Sequence, residues 1–270
     1  MSQRTLALVG PGRAGTAIAV ALVARGWRVV GVAGRDEDRA RRLAARVDAP
    51  VRPIAEVARD AEVVVVATPD AVIEAATLAL LPALDAGTLV VHLSGARGPE
   101  AFGTARGVAG GWHFGALHPL QTLSGDDGAA RLAGAHAAVE GPPAVAELAR
   151  EIGLVPFRVD PAHRAEYHAA AVVASNHLVA LAGQVERLAA AAGVPFDAFG
   201  PLMRTTLDAV LVLGPAAALT GPVARGDVAT VEAHLAALAP EERDAYLTLA
   251  REAHRLSGRD DPIIAEVLRG

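Results

Sequence analysis

The 270-residue chain contains no cysteine. It can therefore form no disulfide and offers neither a thiolate nucleophile nor a cysteine metal site. Lysine is missing as well, all 25 basic residues being arginine, which excludes Schiff-base chemistry and a lysine general acid. Asparagine occurs once, as Asn176, within the run AAAVVASNHLVALAG (169–183). A bias toward Ala, Arg and Gly thins out both residue types, so the retained Asn176 hints at use. No apolar run is long enough to span a bilayer, since 17–32 is broken by Arg25 and Arg28, and 63–84 by Asp70 and Glu74. Blocks of like charge are short, and a formal charge of −5 gives no electrostatic reason to expect nucleic acid. His92, His113, His136, His163, His234 and His254 show no ligand spacing on one face, so no metal is expected.

What is present points to a large core. The hydrophobic fraction of 52% excludes a disordered chain. A strand pattern begins at the N-terminus and leaves no room for a signal peptide, so a cytoplasmic, soluble protein is expected. The first half alternates β-branched runs with helical patterns, as an α/β sheet does. Strands are expected at 5–10, 27–34, 62–69, 88–95, 113–120, 135–141 and 155–160. Helices are expected at 14–25, 36–47 and 70–84, with another starting near Pro143. Asp160-Pro161 then reads as a helix start, with an aspartate cap and proline in the first turn. One long helix to Ala192 follows, then helical segments at 195–213, 227–238, 241–256 and 261–268. The expected architecture is a doubly wound, mostly parallel Rossmann-type sheet over 1–160, followed by an all-α domain over 161–270.

GPGRAG (10–15) fits G-x-G-x-x-G and lies between a strand and a helix, with a second strand beyond. Gly10 permits the tight turn, Gly12 lets backbone approach a pyrophosphate, and Gly15 lets helix pack on strand. The helix N-terminus, opening at Arg13, offers N–H groups to phosphate. At the end of the second strand, VAGRDEDR puts Gly34 where an NAD-binding acid would stand and Arg35 directly after it. A guanidinium there suits the 2′-phosphate of NADPH, with Arg39 one turn on to assist. The alternative is NAD, with Asp36 as the ribose acid and Arg35 solvated; NADP is preferred. Thr68-Pro69 and Ser94-Gly95 end the next two long strands, on the expected path of the nicotinamide half. Pro69 would form an apolar wall. Ser94 would bond the carboxamide or the substrate, or else only cap the next helix.

VGPGRAGTAIAVAL, ATPDAVI, HLSGA, GALHPLQTL and a helical segment with ASNHLVAL together resemble Rossmann-like proteins with a DUF2520 C-terminal domain. These are similar to the 6-phosphogluconate and β-hydroxyacid dehydrogenase superfamily, including pyrroline-5-carboxylate reductase and prephenate dehydrogenase. The resemblance covers nearly the whole chain. It implies NAD(P)-dependent oxidoreduction and a homodimer formed largely by the helical domains. The lysine that β-hydroxyacid dehydrogenases use one turn before an asparagine is absent here: Val172 stands four before Asn176. The HP of GALHPLQTL resembles the prephenate dehydrogenase motif whose histidine bonds the oxygen at the reacting carbon.

Reduction of a carbonyl or imine needs a proton, and His118 at its strand end is the best donor. At about 100° per residue, Arg164, His168 and Ser175 share a helix stripe that runs on to Glu186. Asn176 flanks that stripe at about 80° from His168, and His177 points away. Ser94, His168 and Asn176 are thus candidate substrate contacts, although a mid-helix Ser175 often bonds only its own i−4 carbonyl. Within LTGPVARGD (219–227), Arg225 suits a carboxylate or is simply solvated, and Asp227 caps the following helix. The expected function is NADPH-dependent reduction of a small carbonyl or imine, with a pyrroline-carboxylate-like or prephenate-like dehydrogenase as alternatives. A nicotinamide-binding sensor without turnover is the rival from outside the enzymes.

Overall fold

The computed structural model describes residues 3–123 and 127–269. The chain forms two compact units, 1–175 and 176–270.

The first unit is built on a seven-stranded sheet. Its strands are β1 (Thr5–Val9), β2 (Arg28–Ala33), β3 (Val63–Val66), β4 (Leu89–His92), β5 (His113–Pro119), β6 (His136–Glu140) and β7 (Val155–Phe157), in the order β2-β1-β3-β4-β5-β6-β7. Pairing is parallel except between β5 and β6, so the sheet is mostly parallel as expected. Strand order reverses at β1, whose neighbours are β2 and β3, and ligands of such sheets bind beyond the strand ends at that point.

Alternation along the strands separates two cores. Leu6, Leu8, Val63, Val65 and Val91 face α1 (Arg13–Val23), α2 (Glu37–Arg46) and α4 (Pro143–Glu151). Ala7, Val9, Val64, Val66 and Val90 face α3 (Ile73–Leu80) and the 3₁₀ segment Pro99–Gly107. In β2 the alternation slips: Val29 and Val32 join the first core, Val30 and Ala33 the second. The cause is a register shift in the pairing with β1, which matches Leu6 to Val29 but Ala7 to Gly31. The extra residue resets parity, since a one-residue slip moves every later side chain to the other face. Glycine suits the bulge: a Cβ at Gly31 would stand 2.8 Å from the Val57 carbonyl oxygen.

Asp160 caps a 3₁₀ turn at Pro161–His163, its carboxylate accepting the Ala162 N–H at 2.9 Å. α5 (Arg164–Val172) follows within the first unit. The long helix of the sequence reading is not uniform, however. A π-turn occupies Val173–His177 before α6 (Leu178–Ala191) resumes. The adjacent Ser175, Asn176 and His177 all fall in that turn, and the boundary between the units runs through it. A π-turn widens the helix locally, so the regular 100° spacing does not carry from His168 to Asn176.

The second unit is helical. It comprises α6, α7 (Gly200–Leu213), α8 (Pro215–Ala218), α9 (Pro222–Arg225), α10 (Val228–Ala237), α11 (Pro240–Ser257) and α12 (Pro262–Val267). Val223, Val231, Leu247, Ala250, Ile264 and Leu268 form its core. Asp227 caps α10 by accepting the Thr230 N–H, as expected. Glu242 ties α11 to α6, pairing with Arg187 while its carbonyl accepts from Gln184 at 3.1 Å. Among the described residues no helix is long and apolar enough to cross a membrane.

Phe102 is fully buried, with its ring 5.0 Å from His92 and 4.8 Å from Phe114. Phe102→Ala should cost the first unit about 3–5 kcal/mol, read as a lower urea midpoint at unchanged m. A loss under about 1 kcal/mol would mean that the pocket closes over the missing ring.

Candidate functional site

The glycine turn shows why its residues are glycines. Gly10 has φ +94°, and a Cβ there would lie 2.6 Å from the Ala67 carbonyl oxygen at the end of β3. A Cβ on Gly15 would lie 2.5 Å from the Gly10 oxygen. At Gly12, by contrast, the space where a Cβ would stand is open. The backbone N–H groups that open α1 have no partner within the helix, as in phosphate-binding turns. A cavity of about 380 Å³ beside the turn is lined by Gly12, Arg13, Thr16, Arg39 and Arg46 among others. Thr68 Oγ1 is buried without a hydrogen-bond partner, an orphan that a ligand can satisfy. These features fit a dinucleotide.

Arg35 is exposed. Asp36 is committed to its own helix: Oδ1 accepts the Arg39 N–H at 3.0 Å and Oδ2 pairs with Arg39 Nε at 3.0 Å. The Arg39 N–H, seconded by the arginine charges, holds the Asp36 carboxyl below its usual range. Asp36 thus serves as the cap of its own helix and the ion-pair partner of Arg39.

A second cluster gathers at the ends of β3, β4 and β5, against α5. His118 Nδ1 lies 2.6 Å from the Tyr167 hydroxyl. The His168 ring stands edge-on to His118 with centroids 6.0 Å apart. Both rings press on Gly95, where a Cβ would lie 2.7 Å from His118 Nε2 and 2.7 Å from His168 Nδ1. His168 Nδ1 is buried and unpartnered. Arg164, one turn before His168, is 5% exposed and pairs with Glu140 at 2.6 Å, while its Nη1 donates to the Arg97 carbonyl at 3.2 Å. Ser94 Oγ donates to Asp70 Oδ2 at 2.8 Å and accepts the Arg97 N–H at 3.1 Å. Its hydroxyl therefore braces the loop against Asp70. Pro69 is exposed, and its carbonyl accepts the Val72 N–H at 3.0 Å.

Burial, with His168 and Arg164 nearby and Asp70 opposing, pushes the His118 imidazole down to about 4. Burial raises the Tyr167 phenol above its usual value, against the pull of Arg164. At neutral pH the pair is uncharged.

The structure brings Ser94, Gly95, His118 and His168 together. Ser175 donates to the Ala171 carbonyl at 2.7 Å, the local bond open to a mid-helix serine. Asn176 belongs to the second unit. Sequence reasoning passed over Tyr167, Asp70 and Glu140. Tyr167 adjoins His168 and Asp70 follows Pro69, but nothing in their spacing announces partners 49 and 24 residues away.

Residues 2–109 match a Rossmann-like domain, and residues 133–253 match the domain of unknown function DUF2520. The chain carries both domains. A Bacteroides fragilis protein, provisionally designated an NADP oxidoreductase, is 27% identical over 94% of this chain and 98% of its own, with a TM-score of 0.80. A Thermotoga maritima protein is 26% identical over 98% of each chain, with a TM-score of 0.66. An Aspergillus terreus reductive aminase, solved with NADPH and ethyl levulinate, shares the fold at 18% identity over 99% of each chain, with a TM-score of 0.68. No curated protein matches the chain.

His118 should titrate near pH 4 by NMR. Its folded value lies below the unfolded one, so the unfolded chain binds more protons between the two. Stability is then full above about pH 6.5 and falls as pH drops toward 4. Gly95→Ala, whose methyl must displace one ring, should return the midpoint toward 6.5; an unchanged midpoint would show that the rings do not depend on this contact.

Proposed function

We propose that the chain is an NADPH-dependent oxidoreductase that reduces a small carbonyl or imine. The observation that carries this reading is the His118–Tyr167 pair, set at a strand end of the sheet that also carries the glycine turn. The Rossmann–DUF2520 combination, and its likeness to the Bacteroides fragilis protein, support the cofactor class. Gly10, Gly12, Arg13 and Gly15 would hold the pyrophosphate, Arg35 and Arg39 the 2′-phosphate, and Thr68, Pro69 and Gly95 the nicotinamide half. When bound, NADPH supplies the hydride; the protein supplies the proton.

The pair can do so while neutral. Imidazole and phenol together carry two exchangeable protons, and one of them lies in the Nδ1···O bond. If the phenol donates inward, His118 Nε2–H is the outward donor; if Nδ1–H donates inward, the phenol O–H is. Either way one proton passes to the oxygen or nitrogen left on the reduced carbon, and the pair is left as a phenolate accepting the Nδ1–H of a neutral imidazole, to be reprotonated from solvent before the next turnover. His168 flanks His118, and Ser94 acts through Asp70.

We assign the cofactor to 1–160 and substrate and dimerisation to 161–270, a functional division that falls before the boundary between the compact units at 175/176. The apolar residues that α7 exposes, with Leu211 at 75% and Val212 at 81%, support a homodimer formed through the helical region. The family tie extends in this reading to the pyrroline-5-carboxylate reductase superfamily, and the compartment is the cytoplasm.

Calorimetric titration should give much tighter binding of NADPH than of NADH. Arg35→Ala should reduce that preference about 10- to 100-fold, as loss of a charge-assisted bond does. Preference for NADH in the unmodified chain would return the site to Asp36. His118→Ala should abolish turnover with NADPH affinity nearly unchanged, whereas joint loss of both would make His118 structural. Because neither partner titrates near 7, the rate should stay flat from about pH 6 to 9; a bell centred near 7 would require a different acid.

A further inference from the structure

His92 lies at the end of β4, fully buried, and makes no contact with His118 or Tyr167 through any hydrogen bond. Both its ring nitrogens are nonetheless engaged, and both by the same loop. The Ser94 N–H donates to Nδ1 at 3.2 Å, and Nε2 reaches the Gly98 carbonyl at 2.8 Å. An N–H can only donate and a carbonyl can only accept, so Nδ1 must be bare and Nε2 must carry the proton. The ring is therefore held in one neutral tautomer.

We propose that His92 is a positioning residue that hangs the 94–98 loop on a single imidazole and thereby sets the His118–His168 face of the site. The loop carries each element that the cluster needs. Ser94, tied through its N–H, turns its hydroxyl to Asp70. Gly95 follows and abuts both imidazole rings. Arg97 offers its N–H to Ser94 and its carbonyl to the buried Arg164. Gly98 closes the loop, with its N–H on Glu100 at 2.8 Å and its carbonyl on His92. Without the ring, two backbone groups of a tight loop lose their partners in a buried setting, which costs more than the bonds themselves contribute. Phe102, from the core on the same face of β4, packs on the ring with centroids 5.0 Å apart. Burial holds the His92 imidazole below its usual value. The Gly98 bond and the carboxylates of Asp70 and Glu100 oppose the shift, and Arg164 adds to it.

The kinetic arm of the test rests on the reductase reading; the others do not. NMR of the full chain with ¹⁵N-labelled histidine should show His92 as the neutral Nε2–H tautomer across pH 6–8. An Nδ1–H tautomer or an imidazolium there would overturn the proposal. His92→Gln reaches toward Gly98 but leaves the Ser94 N–H without its acceptor. Amide exchange at Ser94 and Arg97 should then quicken at least about 10-fold, with β1 and β3 still protected, and the His118 midpoint should rise from about 4. Loop exchange or a His118 midpoint that stays at the unmodified value would overturn it. His92→Asn, whose Oδ1 takes the place of Nδ1, should restore Ser94 protection even if the Gln variant fails to fold; no restoration counts against the proposal. Under the reductase reading His92→Gln lowers kcat by a larger factor than it raises the Kd for NADPH, whose phosphates are held by the glycine turn and arginines away from this loop. If the unmodified chain turns over no substrate, the reductase reading fails while the tautomer and exchange results still decide the role of His92.

Discussion

At Gly10, Gly15 and Gly95 the backbone and its neighbours come together without room for a methyl group, and the working edge of the first unit depends on that closeness. Gly10 sits on the end of β3, Gly15 on Gly10, and Gly95 on two imidazole rings. Each glycine costs conformational entropy on folding. The cost is offset by strands such as Val63–Val66, buried on both faces of the sheet. The rigid interior and the permissive rim belong to one arrangement. Valine on both faces fixes where the strands end, and glycine at the ends lets turns, rings and ligand approach.

Much of this was legible because it is local. Valine runs bounded by glycine and proline marked the strands, and GPGRAG marked the turn between the first strand and its helix. The irregularities were not legible in the same way. The bulge at Gly31 shows only in the partner strand, since an alternation of Arg28, Val29, Val30, Gly31 and Val32 does not say which residue is extra until β1 lies beside it. The π-turn left a trace, three polar neighbours inside a run of Ala, Val and Leu. Helix arithmetic cannot use that trace, because it assumes the very spacing that the turn breaks.

The site divides along the same line. His118, Ser94 and Gly95 stand at strand ends, where an open sheet makes position almost equivalent to role. His168 was found from its stripe with Arg164, and that spacing holds because both precede the π-turn. Tyr167 escaped because it lies about 100° round the helix from His168, and on that rule it belonged to another face. A phenol reaches far enough from its axis to meet an imidazole from β5, and reach is a tertiary fact.

The absence of lysine has a consequence for proton chemistry that composition alone does not show. Arginine does not give up its proton in proteins, so each buried cation here is permanent. Arg164 is such a charge, answered by Glu140 and still strong enough to bear on His92, His118 and Tyr167. Its sign disfavours imidazolium and favours phenolate, whereas burial disfavours both ions. For the imidazole the two effects add to that of the neighbouring His168, and His118 falls to about 4. For the phenol they oppose, and burial wins. The result is a hydrogen-bonded pair in which neither member is charged at neutral pH, although each can pass a proton through the other. Burial therefore keeps both partners neutral, and the permanent Arg164 charge adds to it at the imidazole and opposes it at the phenol.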